Sequence, residues 1–223
     1  MRIWPVAALG LVLLVVAPAL AETRNAADAK FQALYKREWA WRRVEFPGRD
    51  QEGSRLPDRF PKVDAASQAR RLAYWRDVRR SLDAIPVTSL SAQEAVNYEV
   101  YADQLDTLIN QQTFREYEKP FNSDSSFWSG LGFTASRTFH TTQDYRNYIA
   151  QLNDIPHYFH DETENMRAGL KRGFTPPRAT LVGREVSVTA VADAKGAEAT
   201  NLWKPFKAMP AAVPPAEQEA LRA

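Results

Sequence analysis

The chain of 223 residues has three histidines, and two of them, His157 and His160, lie three positions apart. On a helix that spacing puts both imidazoles on one side, and Asp161 and Glu164 could add oxygen ligands for a metal ion. The pattern is His-x-x-His rather than the His-Glu-x-x-His in which histidines four apart hold zinc and the intervening glutamate polarises water. The competing reading of His157, His160 and Glu164 is a set of surface polar groups beside Pro156. His140 stands alone between Phe139 and Thr141. Carboxylate pairs such as Glu162 with Glu164 occur on any charged helix, and carry no acid or base role until a fold places them.

Other chemistries find less support. There is no Gly-x-Ser-x-Gly elbow, no Walker loop and no dinucleotide glycine fingerprint, and Gly130-Leu131-Gly132 lacks a preceding strand. Cysteine is absent, which excludes a disulfide framework, a thiolate nucleophile and a zinc ribbon. Lys plus Arg number 29 against 27 for Asp plus Glu, a near balance that gives no electrostatic reason to expect nucleic acid as a partner. The stretch Phe121-Asn122-Ser123-Asp124-Ser125-Ser126-Phe127-Trp128 mixes large aromatics with small polar residues and has no sustained period. Such loops line binding clefts, which makes Asn122, Ser123, Asp124, Phe127 and Trp128 candidates to approach a substrate; the alternative is packing of one helix layer on another.

The elements that must position these residues read as helices. Phe31, Leu34, Tyr35 and Trp41 recur at helical spacing until Pro47-Gly48 stops the pattern. Asp64 or Ser67 can cap a second helix with Leu72, Trp75, Val78, Leu82 and Ile85 on one face, while Arg70, Arg71, Arg76, Arg79 and Arg80 read as its solvated side. Ser91-Ala92-Gln93-Glu94 is a capping box opening a long helix with Tyr98, Tyr101, Leu105 and Leu108 inward, reaching to about Tyr117. Thr141 and Asp144 offer another such start, followed by Tyr145, Tyr148, Ile149 and Leu152. Pro156 should kink or break this helix, with a second piece carrying Phe159, Thr163, Met166 and Leu170 up to Gly173. The tail beyond Arg178 reads as short helices and turns, with a weak strand-like stretch from Val182 to Val191. The fold class expected is all-α and antiparallel, bundle-like.

Arg2, the apolar run from Ile3 to Val16 and Ala17-Pro18-Ala19-Leu20-Ala21 read as a signal peptide cleaved after Ala21, since the run is too short to span a bilayer. A periplasmic or secreted protein with no stable membrane anchor follows, with residues 22–223 as a single helical domain. The last residues, Ala216 to Ala223, open a helix with no stop signal, which reads as a domain cut short.

The order of segments is itself informative. Leu56-Pro57, Ala69-Arg70-Arg71-Leu72, Asn97-Tyr98-Glu99, Pro120-Phe121-Asn122, Tyr145-Arg146-Asn147-Tyr148-Ile149-Ala150-Gln151-Leu152, Met166-Arg167-Ala168-Gly169 and Gly173-Phe174-Thr175-Pro176-Pro177 resemble, over roughly residues 28–185, the N-terminal part of the bacterial domain-of-unknown-function 885 family. The resemblance implies a large all-α protein related to zinc metallopeptidases. Its metal motif, similar to His-Glu-x-x-x-Gly-His-His, is implied for a C-terminal half that is not in this chain. On that view the chain is part of the helical wall around a catalytic cleft, inactive alone, with the missing half as partner, zinc as the cofactor of the full-length protein and a peptide or similar amide as substrate. No catalytic residue or metal ligand carries over to any position here. The alternative is a non-enzymatic helical binding or interaction module of the periplasm.

Overall fold

The computed structural model describes residues 16–48, 56–122 and 124–223, with side chains in the first helix described from residue 26. Among the described residues eight α-helices follow one another: α1 Val16–Glu45, α2 Ala65–Asp83, α3 Ala92–Thr113, α4 Ser129–Ala135, α5 Thr142–Lys171, α6 Val186–Ala192, α7 Lys204–Lys207 and α8 Pro215–Arg222. There is no strand among the described residues, and the Val182 to Val191 stretch forms turns and α6 instead. The apolar part of the expected leader, residues 3–15, lies outside the described residues, and no described helix is long and apolar enough to cross a membrane.

The contacts divide the chain into two compact units, one of residues 1–40 and 73–110, the other of residues 41–72 and 111–223. The first buries Phe31, Leu34, Trp75, Val78, Leu82, Ile85, Tyr98, Tyr101 and Leu105 of the expected stripes, while Tyr35 and Leu108 are half-buried. Polar groups inside it are partnered: the Trp75 indole donates to Glu38 Oε1 at 3.1 Å, and the Tyr98 hydroxyl to the carbonyl of Leu82 at 3.3 Å. The start of α3 departs from a full capping box. Ser91 Oγ accepts from the Glu94 amide at 3.4 Å, but the Ser91 amide donates to Asp28 of α1, and Glu94 instead accepts from Gln32 and Asn97. A carboxylate on a neighbouring helix satisfies the orphan donor that the local glutamate serves in an isolated capping box. The helix then ends at Thr113, short of Tyr117, because Arg115 adopts a left-handed conformation.

The second unit is built on α5. Its start is the expected capping box, with Thr141 and Asp144 bonded reciprocally. Its middle is not broken: α5 runs continuously through Pro156 as one helix of 30 residues. Pro156 is exposed, so water can serve the carbonyl whose donor the ring removed. Around the N-terminal half of α5 lies the core of Leu56, Ala135, Phe139, Tyr145, Tyr148, Phe206 and Val213. Tyr145 and Tyr148 bury their rings there and donate to the carbonyls of Pro205 and Leu202. The short tail helices are thereby tied to α5.

The end of α5 turns on two glycines. Gly173 takes φ +76° just past the last turn, and the Phe174 amide closes back on the Gly169 carbonyl at 2.8 Å. A methyl group on Gly169 would stand 2.7 Å from the carbonyl oxygen of Glu118 and 2.9 Å from that of Phe174, both backbone atoms. Gly169→Ala is expected to lower stability by about 1–3 kcal/mol, read as a fall in the denaturation midpoint. An unchanged midpoint would show that the 116–118 turn does not approach α5 this closely in solution.

Candidate functional site

One face of α5 carries a ladder of polar side chains at steps of three and four: Asn147, Gln151, Asp154, Tyr158, Glu162 and Asn165. Most of them hold the segment 56–63 that precedes α2. Asn147 donates to the Leu56 carbonyl at 2.7 Å, Asp154 accepts from the Phe60 amide at 2.9 Å, and Asn165 donates to the Val63 carbonyl at 2.8 Å. The Tyr158 ring stacks on Phe60 at 4.6 Å. A proline-rich loop with few backbone donors of its own is thus fixed by side chains from one rigid helix.

Beneath this loop is a buried charge. Arg71, which the pattern put on the solvated side of α2, is 2% exposed. Its guanidinium donates to Glu45 Oε1 at 2.8 Å, to Gln68 Oε1 at 3.1 Å and to the Lys62 carbonyl, and lies 4.6 Å from the centre of the Phe46 ring. The contacts explain the burial, since a buried guanidinium is tolerated when its fork of donors is filled. Glu162 sits nearby, buried, with the Asn165 amide 3.5 Å away and the Tyr158 hydroxyl in hydrogen-bonding reach. Burial pushes its carboxyl up to about 7, against the opposing pull of Asn165, Tyr158 and Arg71. Burial also pushes the Tyr158 phenol up, so it remains a donor.

Between the 56–63 loop and the 127–137 segment the second unit has a cleft of about 450 Å³. Phe46, Phe60, Phe127, Phe133 and Tyr158 wall it with Pro47, Pro57 and Pro61, and Gln151 reaches it from α5. A second cleft of about 450 Å³ is lined by Trp128, Phe159, Leu131 and Val188, with Asp124, Ser126, Ser129, Ser187 and Asn201 as polar groups. Phe127 and Trp128 meet edge to face at 4.9 Å and contribute one ring to each cleft.

The loop residues singled out from sequence take different places. Asn122 is structural: its Oδ1 accepts from the amides of Asp124 and Ser125 at 2.8 and 2.9 Å, shaping the turn closed by the Phe121 to Ser126 bridge. Asp124 and Trp128 line the second cleft, where the indole donates to Ser187 Oγ at 2.9 Å, and Phe127 lines the first. Ser123 lies outside the described residues. Tyr158 was not singled out, Gln151 appeared only within the family-like segment and Glu162 only as one of a carboxylate pair without a role; the signal for all three is the three-and-four spacing of polar residues along α5, which interrupts its apolar stripe.

The residues considered for a metal do not suit zinc. His157 and His160 are exposed, His157 standing 3.7 Å from both Asp154 and Asp161, and Glu164 bonds Arg167 at 2.5 Å. Among the described residues no group of three or more His, Asp or Glu side chains converges to hold a metal ion.

Among the described residues the fold is all-helical, and its second unit carries two aromatic-walled clefts. The family model of bacterial proteins of unknown function (DUF885) matches residues 47–223, and the chain belongs to that family. No curated protein and no solved structure matches it.

Proposed function

We propose that this chain supplies substrate-facing walls of an exported zinc-dependent hydrolase acting on peptides or similar amides, with the zinc held by residues that this chain does not contain. The observation that carries this reading is the pair Phe127–Trp128, which gives one ring to each of two aromatic-walled clefts of a size that holds small ligands. Around the clefts are hydrogen-bonding groups suited to amides, but no nucleophile activated by a base. Binding without turnover is therefore expected of the chain alone.

Capped peptides are expected to bind the purified protein, and Trp128→Ala to weaken that binding about tenfold or more, as loss of an interfacial tryptophan commonly does. Calorimetric titration with a peptide pool is the measurement. An unchanged affinity would remove the 121–128 segment from the substrate, and no binding at all would favour a non-enzymatic helical module. The enzyme reading has its own test in the coding DNA beyond the codon for Ala223. A frame encoding His-Glu-x-x-x-Gly-His-His supports it, and a stop with no such motif counts against it.

A further inference from the structure

Helix α6 has little that should hold it where it stands. It has seven residues, four of them the β-branched Val186, Val188, Thr189 and Val191, and the Glu185 side chain makes no capping bond at its start. Helices of that length are marginal in water even when rich in alanine, and β-branching lowers the propensity further. Burial in the tertiary structure normally makes up such a deficit, yet every residue of α6 is exposed, Val186 by 62% and Val191 by 46%. Arg184, Ser187, Val188, Val191 and Ala192 nevertheless share one face, at steps of three and four, and all five line the second cleft. Trp128, Leu131, Ile155 and Phe159 line the same cleft from α4 and α5, so two apolar surfaces meet about 450 Å³ of open space. Gly183 and Gly196 flank the segment at φ +81° and +156°.

We propose that residues 184–195 form a lid, hinged at Gly183 and Gly196, that closes over the second cleft by laying Val188, Val191 and Ala192 on Trp128, Leu131, Ile155 and Phe159. The drive is removal of apolar surface that stands in water on both sides of the cleft. Opposing it is the entropy of ordering a short segment with a glycine at either end, so both positions are populated. The open position is the one in the structure, where the Trp128 indole holds Ser187 Oγ at 2.9 Å. The motion goes beyond the proposed function and does not depend on it, because the chain's own surfaces drive closure. Whatever the second cleft takes up would be shut off from water by it.

The chain has no cysteine, so pairs of spin labels can be placed on it without removing any. Thr189→Cys with Ser136→Cys puts one label on α6 and one at the end of α4, both at exposed positions that do not line the second cleft. Ser136→Cys with Arg167→Cys spans α4 and α5 and serves as the fixed reference. Dipolar spectroscopy on the frozen full chain is expected to give two distances for the first pair and one for the reference. Val188→Ser with Val191→Ser should cut the share of the shorter distance about fivefold or more, because it removes contacts made only on closure. Gly183→Ala with Gly196→Ala, where an added methyl meets no atom within 4 Å, should change the ratio through the hinges alone. Both valines being exposed, the serine variant should keep the wild-type thermal midpoint. A clear fall in that midpoint would show that α6 is packed as part of the core, and would overturn the lid. A single distance between α6 and α4, or a ratio that ignores both sets of substitutions, would overturn it too. Capped peptides that fail to bind would count against the proposed function and leave the lid standing.

Discussion

Arg71→Ala is expected to destabilise the protein by about 3 kcal/mol, because it strips the half-buried Glu45 carboxylate, the buried Gln68 amide oxygen and the Lys62 carbonyl of their donor at once. Glu45 loses an ion pair at 2.8 Å, Gln68 loses its bond at 3.1 Å, and the Lys62 carbonyl loses the contact that holds the end of the 56–63 loop. A cavity beside Phe46 adds to the loss. Arg80→Ala on the same helix is the control. Arg80 is 70% exposed and pairs only with the equally open Asp77, so its removal should change stability by about 1 kcal/mol or less. Denaturant midpoints measured side by side decide the matter. If both variants shift equally, Arg71 is solvated and the network around it does not persist. If Arg71→Met combined with Glu45→Leu recovers most of the loss, the penalty lies in the orphaned charge rather than in the missing volume.

Arg71 also shows where the sequence was legible and where it was not. The stripe Leu72, Trp75, Val78, Leu82 and Ile85 was plain from its steps of three and four, and all but the half-buried Leu72 are buried. Counted back four from Trp75 and then three more, the same period lands on Arg71 and Gln68, both buried. Position therefore pointed inward while residue type pointed outward, and with five arginines on one helix the type prevailed. Only the tertiary partners, Glu45 and the Lys62 carbonyl, make the position habitable for a charge. The same happened on α5. Tyr145 and Tyr148 were read as core from their apolar rings, but past Pro156 the buried positions are Tyr158, Glu162, Asn165 and Gly169, whereas Leu170 is 69% exposed. The helical period was correct and its apolar content misleading, because this half of α5 faces a loop whose carbonyls need donors. The all-α class survived such errors, since it depends on period and caps, whereas the shape of the cleft depends on which polar residues face inward.

The second large effect concerns Glu162, the buried acid of that ladder. Its carboxyl is raised from the ordinary 4.5 to about 7, burial being the main cause. A folded-state value above the unfolded one means that the native protein binds the proton more tightly. The associated stability is fully present below about pH 4.5 and is lost as pH rises through about 7. Integrated over that interval the loss is on the order of 3 kcal/mol. Glu162→Gln keeps the size and neutrality of the protonated acid, so it should erase this part of the pH dependence and leave the variant more stable than wild type at pH 8. Near pH 4.5 the two should be nearly equal. The loop should respond with it: Tyr158 and Asn165, the two hydrogen-bond partners of the carboxylate, are also those that stack on Phe60 and hold the Val63 carbonyl, while Asp161 and Arg71 act on it by charge alone. Ionisation of Glu162 strengthens its hold on their donors while placing an incompletely neutralised charge inside the unit, so the loop is ordered locally at the expense of global stability. Paired denaturation curves from pH 4.5 to 8 test this directly. Parallel curves for wild type and Glu162→Gln would mean that the carboxyl titrates in its ordinary range and that water reaches the base of the ladder.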